Sequence, residues 1–487
     1  MIEDELVKIL GADGVARERA AREAYSADMS FAHSIMPDCV ARPRNAEEIA
    51  KIVKLANLTL TPLVPVSSGP PHFRGDTVPG MGGTVIVDLR GMKSIVRVDR
   101  QNKTALCEPG TTFAELLPAV EKEGLRLNMP LLPRRSKSVV GSLLEREPVT
   151  MPGYHWDIAD PLACVEVVFG TGDLFRTGSA AGPGTLEDQW ARGLAPNYAE
   201  GPSQASLHRV IQGAQGTMGI VTWASMRCEL LPELEEPFMA GSPRLDTLLD
   251  LVHWLIRLRL VDECFIVNNT NLAVIMAATR PDDFHELKSA LPRWILFFTI
   301  AGYTYMPEER VDYQTRDMMD LSRRVAVAPA KTMAGIPASE LLKKVRRPSD
   351  EPYWKLRREG GCQDICFLTL YDKLPGLVAA MDDRADAGGC PSSHLGVYLQ
   401  PLVQGSTCHC EFNLFYDRES ARESDRIRDL VGIATRDLMA GGAFFSRPYG
   451  ENAKIIMNGD AATSAALAKV KAIFDPNNIM NPGKLCF

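Results

Sequence analysis

Two short runs in this 487-residue sequence carry side chains able to act on a small molecule. In Phe444-Phe445-Ser446-Arg447-Pro448-Tyr449, a guanidinium stands among apolar neighbours, where it can neutralise an anion through paired N–H donors. In Cys408-His409-Cys410-Glu411, a histidine and a carboxylate are two residues apart. On a strand they share one face, and there they can orient a hydroxyl or take its proton. The two thiols of that run also share a face, but two ligands do not complete a metal site, so no metal is expected. A third run, Ser67-Ser68-Gly69-Pro70-Pro71-His72-Phe73-Arg74-Gly75, cannot be regular structure. Its small residues allow a tight, concave loop, although two prolines remove two N–H donors.

These runs need elements to hold them. Asn45 and Glu48 make a capping box before Ile49, Ile52, Val53 and Ala56, which fall at helical spacing. Strands are predicted at 61–66 and 84–89, a hairpin at 95–99 and 104–108, and a helix after Thr112. The run 162–169 is an apolar strand turning through Thr171-Gly172-Asp173 into 174–177, and 219–231 is another strand. Residues 178–205 are rich in Gly, Pro and Ser and are predicted to be a long loop. The prolines and acids of 232–243 mark a boundary. Beyond it, helices at 245–258, 308–324, 377–383 and 427–438 alternate with strands at 294–301, 365–370, 394–401 and 408–416, the pattern of an antiparallel sheet flanked by helices. A last helix ends at Phe474, before Asp475-Pro476.

The length implies two to four domains, or one with a large insert. Hydrophobic residues make up 45% and charged residues 24%, a globular profile. A formal net charge of -7 without a Lys/Arg stripe excludes nucleic acid as an expected partner. The opening MIEDELVKIL is acidic, unlike a secretory leader, and 294–301 is too short to span a bilayer, so no membrane span is expected. Eleven cysteines, an odd number without CxxC pairs, fit reduced thiols and a cytoplasmic location.

Three separated segments, in order, resemble the vanillyl alcohol oxidase/p-cresol methylhydroxylase superfamily of FAD-linked oxidases, which is related to the flavin subunits of D-lactate dehydrogenase and glycolate oxidase. The first is Tyr25-Ser26-Ala27-Asp28 with Val40-Ala41-Arg42-Pro43-Arg44. The second runs from Pro152-Gly153-Tyr154-His155-Trp156 through Gly172–Gly178 to Gly213-Ala214-Gln215-Gly216-Thr217-Met218-Gly219-Ile220-Val221-Thr222. The third is Phe474-Asp475-Pro476-Asn477-Asn478-Ile479-Met480-Asn481-Pro482-Gly483-Lys484. The resemblance implies an α+β fold: a two-subdomain FAD-binding PCMH-type domain formed by residues 1–235 and completed by 445–487, around a substrate-binding cap at 236–444 with an antiparallel sheet flanked by helices. It implies FAD as cofactor, with Ser67, Ser68, Gly69 and Gly75 at the diphosphate, Gly141 and Ser142 near the ring, Gly216, Gly219 and Ile220 against the flavin, and Lys484 in the closing tail.

Three readings of the proline-containing loop stay open: a rearranged FAD cradle, a covalent flavin link at His72, or weakened flavin binding. The implied catalytic residues are His409, Arg447 and His155, the last in a segment that resembles one facing the flavin. The implied reaction takes a hydride from an alcohol, an alkylphenol-like aromatic or a hydroxy acid onto flavin N5. Electrons then pass to a separate acceptor: oxygen, a cytochrome, an iron–sulfur subunit or an electron-transfer flavoprotein. The resemblance also brings the expectation of a homodimer. Two departures matter. Ser446 stands where alkylphenol oxidisers carry a tyrosine, which tilts the reading toward a carboxylate or another polar anion as substrate. The Gly-Asp-Gly-Asn-His pattern of the lactate- and glycolate-type relatives is absent. A D-2-hydroxy-acid dehydrogenase is the alternative, and a degenerate flavoprotein acting as a partner-binding subunit a further one.

Overall fold

The computed structural model describes residues 2–153, 160–198, 207–277 and 281–487. Three larger sheets organise them. The first has four strands in the order Val15–Ala16, Cys39–Ala41, Val85–Asp88, Leu63–Val66, the last three parallel. The helix Ala46–Thr59 joins two of these strands and buries Ile49, Ile52, Val53 and Ala56, the stripe read from the sequence. Asn45 accepts from the Glu48 N–H as expected. The returning Glu48 carboxylate binds the Arg44 N–H and guanidinium instead of the cap residue. Asn45→Ala is expected to cost about 1 kcal/mol of stability, read as a lowered midpoint in urea.

The second sheet is antiparallel, in the order Ile95–Asp99, Thr104–Cys107, Gly219–Leu230, Leu162–Phe169, Leu174–Arg176, with Leu125–Leu127 also on the long strand Gly219–Leu230. Every residue of Leu162–Phe169 is buried, as a continuous apolar run requires. The chain returns to the first sheet at its end. Leu63 donates to the Ile479 carbonyl at 2.7 Å and accepts from Asn481 at 2.8 Å. Ile479 and Met480 then enter the core that contains Ile49 and Ile52.

The third sheet is antiparallel: Leu234–Ser242, Trp294–Gly302, Cys264–Asn268, Gly396–Leu402, Thr407–Asp417, Gly360–Thr369. Helices Leu245–Arg257, Pro307–Arg324, Leu374–Ala387 and Ala421–Ala440 cover one face with a large apolar core. Strand alternation sends Cys408, Cys410, Phe412, Leu414 and Tyr416 into that core. The same alternation turns His409, Glu411 and Asn413 to the opposite face.

At the boundary read over 232–243 the chain passes from the strand Gly219–Leu230 of the second sheet to Leu234–Ser242 of the third, and Pro237 is tolerated because that strand lies at the sheet edge. One sequence expectation fails here. The region 178–205 holds the 3-10 turn Gly178–Ala181 and the helix Leu186–Ala191, which starts with a Thr185/Asp188 capping box too short to show periodicity.

Candidate active site

The opposite face of the third sheet, part of which packs against a second apolar core, presents polar residues in cross-strand rows. Glu411 lies between Tyr398 and Cys366, Asn413 between Gly396 and Asp364, and His409 between Gln400 and Leu368. Neighbours in a row are close enough to bond. Asn413 donates to Glu411 at 2.8 Å and to Asp364 at 2.7 Å, and Asn271 of the helix Asn269–Met276 donates to Asn413 at 2.8 Å. Gly396 is required, because a Cβ there would run into the Asn271 side-chain oxygen. Lys355 completes the group with ion pairs of 2.5 Å to Asp364 and 2.6 Å to Glu411. Burial alone would raise the Glu411 carboxyl, but Lys355 outweighs it and holds the group well below its ordinary value. Burial likewise opposes the charge on Lys355, and Asp364 and Glu411 overcome it.

Arg447 reaches this face from outside the sheet. Leu368 and Phe444 exchange backbone hydrogen bonds of 2.8 and 2.9 Å. This bridge lays the 444–447 run beside the strand Gly360–Thr369, so that Arg447 Nη2 stands 3.6 Å from Cys366 Sγ. Arg447 is 4% exposed, and its Nη1 has no hydrogen-bond partner among the described residues. Opposite, the loop 67–77 and the segment 130–148 close a cleft of about 1050 Å³, whose lining also includes Tyr353, Lys355, Asp364, Tyr398, Glu411 and Arg447. The other cations on its wall are occupied. Arg74 pairs with Glu145 at 2.5 Å and Glu147 at 3.2 Å, and Lys137 with Glu145 at 2.5 Å. Arg134 donates to the Gly69 and Pro71 carbonyls. Burial and the Glu145 carboxylate push Asp76 up to about 6, against the pull of Lys137 and Arg74.

The loop 67–77 is held by its neighbours. The Gly69 N–H donates to Ser136 O at 2.8 Å, and Gly75, at φ 74°, donates to Asp28 at 2.6 Å. Both glycines therefore shape the loop while their N–H groups are committed to protein. Ser68 Oγ accepts from the Ser138 N–H at 3.1 Å, so the loop is tied to the helix Val139–Leu144, where Gly141 packs a Cβ position 3.1 Å from Ser67 Oγ. Behind it runs a narrower channel lined by Ser67, Gly141, Gly213, Gly216, Gly219 and Ile220. A side chain at Gly216 would strike Pro65 Cγ at 2.5 Å, and one at Gly219 would strike Val168 O at 2.6 Å. Gly216 and Gly219 are thus required by packing against Pro65 and Val168, while Gly213, with nothing within 4 Å of its Cβ position, leaves bare backbone on the wall; a flat ring such as the isoalloxazine of FAD can approach backbone of this kind closely.

The structure thus gathers Ser67, Ser68, His72 and Arg447 on the cleft and Gly141, Gly216, Gly219 and Ile220 on the channel, with Ser67 shared. Ser142 lies elsewhere, donating to Glu147 at 2.6 Å. Lys484 is in neither wall; it lies close enough to Asp76 and Asp28 to feel their charge. His155 is outside the described residues. His409 is 1% exposed and sits behind the lining, with Nε2 3.5 Å from the Glu411 carboxylate that does face the cleft. Burial lowers His72 to about 3 and His409 to about 4, so both imidazoles are neutral at pH 7.

Sequence reasoning did not single out Arg74, Lys137, Glu145, Glu147, Lys355, Asp364 or Tyr398. Asp364 had a usable signal, a carboxylate inside a β-rich apolar run; Lys355 had none, because it lies outside any periodic pattern.

Because the folded pKa of His409 lies below its unfolded value, its stabilising contribution is present above about pH 6.5 and is lost as pH falls through about 4. Acidification to pH 4 should cost about 3 kcal/mol through this residue alone. His409→Gln is expected to flatten the acid limb of the stability–pH curve, and an unchanged limb would count against neutral burial.

Residues 37–178 match the FAD binding domain model, and residues 449–485 the C-terminal domain of FAD linked oxidases. The chain is 26% identical to the glycolate oxidase subunit GlcD of Bacillus subtilis (strain 168), over 99% of this chain and 96% of that protein. It is 23% identical to the mitochondrial D-lactate dehydrogenase [cytochrome] of Arabidopsis thaliana, over 92% and 73%. Its fold is similar to that of the 4-ethylphenol oxidase of Gulosibacter chungangensis solved with isoeugenol, with a TM-score of 0.83 at 18% identity, over 99% of this chain and 96% of the other.

Proposed function

We propose that this chain, an FAD-linked oxidoreductase by its two matched domains, dehydrogenates a small 2-hydroxy acid whose carboxylate is held by Arg447. One observation carries the reading: Arg447 is the cleft-lining cation left without a carboxylate or carbonyl partner among the described residues, and its Nη1 is buried and unbonded. An orphaned guanidinium in a cleft costs free energy that an incoming carboxylate restores through charge-assisted hydrogen bonds. The likeness to a glycolate oxidase subunit, over nearly the whole of both chains, and to a D-lactate dehydrogenase, over 73% of that protein, supports the same substrate class.

Bound FAD supplies the two-electron acceptor at this site. The protein supplies the rest. Ser67, Ser68, Gly141, Gly216, Gly219 and Ile220 would hold the cofactor along the channel and the adjoining loop. Arg447 orients the acid. Glu411 faces the cleft and would accept a hydrogen bond from the substrate hydroxyl, with His409 behind it. Lys355 and Asn413 hold that carboxylate in place. The buried walls exclude water from the transfer. Electrons leave to a separate acceptor, such as a cytochrome, an iron–sulfur subunit or an electron-transfer flavoprotein. A homodimer belongs to the same reading, as does a cytoplasmic location, which is supported by eleven free thiols. Among the described residues no helix is long and apolar enough to cross a membrane.

A phenolic substrate is the second reading, because Tyr353 and Tyr398 face the same cleft as Arg447. Comparing a 2-hydroxy acid with its methyl ester separates the two. The acid should be turned over about 10- to 150-fold more efficiently, the worth of one buried charge-assisted contact. Equal turnover of acid and ester would remove Arg447 as a carboxylate anchor.

A further inference from the structure

Arg447 borders two cavities. Besides the cleft described above, it lines an adjoining chamber, with Arg74, Asp364 and Phe73 in the shared wall. The chamber's other walls mix an apolar patch of Phe31, Ile365, Val431, Phe445 and Ile456 with the polar Ser30, Gln363, Glu451 and Asn452. Five separate parts of the chain build it: residues 30–32, residues 73–74, the strand Gly360–Thr369, the helix Ala421–Ala440 and the segment 445–456. At one edge the exposed Arg428 lies 4.9 Å over the Phe31 ring. The chamber is therefore a lined space running from the solvent-exposed Arg428 to the buried guanidinium.

Glycolate and lactate do not need such a space. Phe31 and Ile456 are half-buried and turn apolar surface to it, while Ile365, Val431 and Phe445 also belong to the apolar core. A chamber with this apolar patch that ends on an unpartnered, 4%-exposed arginine has the form of a site for an amphiphile: an anionic head at Arg447 and a hydrocarbon or aryl tail between Phe31, Val431 and Ile456. We propose that the substrate is a 2-hydroxy acid with an extended apolar side chain, and that this chamber selects it by length. The inference rests on Arg447 being the carboxylate anchor.

The test is calorimetric titration of the FAD-loaded protein with acetate, butyrate, hexanoate and octanoate, none of which carries a hydroxyl to oxidise. Each methylene that enters the chamber should tighten binding roughly fourfold, until the chamber is full. Ile456→Trp, which fills the chamber from a half-buried position, should abolish the length dependence while acetate affinity stays the same. Phe31→Trp makes the same test from the opposite wall should the first variant fold poorly. Equal affinities along the series, with acetate binding lost in Arg447→Met, would overturn the chamber and leave the anchor standing. A length dependence that survives both filling variants would also overturn it. No binding of any carboxylate would remove the anchor and the chamber together.

Discussion

Replacing Arg447 with methionine is expected to lower kcat/KM toward a 2-hydroxy acid about a hundredfold or more, with most of the loss in KM. Methionine keeps the length of the side chain and removes the charge and the N–H fork. A contact made equally in the bound and the activated substrate appears in KM. A buried charge-assisted hydrogen bond is worth about 1.5–3 kcal/mol, up to about 150-fold. Arg447→Lys should recover only part, because an ammonium cannot bond a carboxylate bidentately. Nothing else should fall with it. Among the described residues the guanidinium's one bond is the 3.6 Å contact with Cys366, so flavin content and unfolding midpoint are expected to hold or rise. A variant that loses flavin in proportion to activity would make Arg447 a structural residue.

Lys355→Met is expected to be the most destabilising single change at the site, by about 3–5 kcal/mol in denaturant unfolding. Lys355 is buried against two carboxylates, and removing it leaves Asp364 and Glu411 facing each other through Asn413. The pH dependence should reverse with it. In the wild type the Glu411 pKa is depressed, so its contribution is present above about pH 4.5 and is lost as pH falls through its lower folded value. Without Lys355, burial would raise that pKa, and the variant should gain stability as pH is lowered toward 5. Adding Glu411→Gln should restore much of the loss at neutral pH. If Lys355→Met is neutral and shows no such reversal, the ion group is exposed to water and the site's electrostatics are other than described.

The elements that fix the fold were largely legible because their patterns are local. The stripe Ile49/Ile52/Val53/Ala56 and the alternation in 408–416 each follow from one period read along one segment. Leu234–Ser242 was not legible. Its Pro237 and acids argue for a break, and only the pairing with Trp294–Gly302 at a sheet edge makes it a strand. The site divides in the same way. Arg447 and the small residues of the loop and channel could be found from residue type and order. The Lys355–Asp364–Glu411 group could not, because 47 residues separate the two carboxylates and only strand register brings them together. His409 shows the limit from the other side: the alternation gave the correct face, while its depth behind Glu411 depends on packing that no spacing encodes.

The most direct measurement is anaerobic mixing of the FAD-loaded protein with D- and L-2-hydroxy acids and with 4-ethylphenol, following the visible flavin bands. The account predicts bleaching by one enantiomer of a 2-hydroxy acid, at concentrations that rise about a hundredfold in Arg447→Met. Bleaching by the phenol alone, with every hydroxy acid inert, would contradict it.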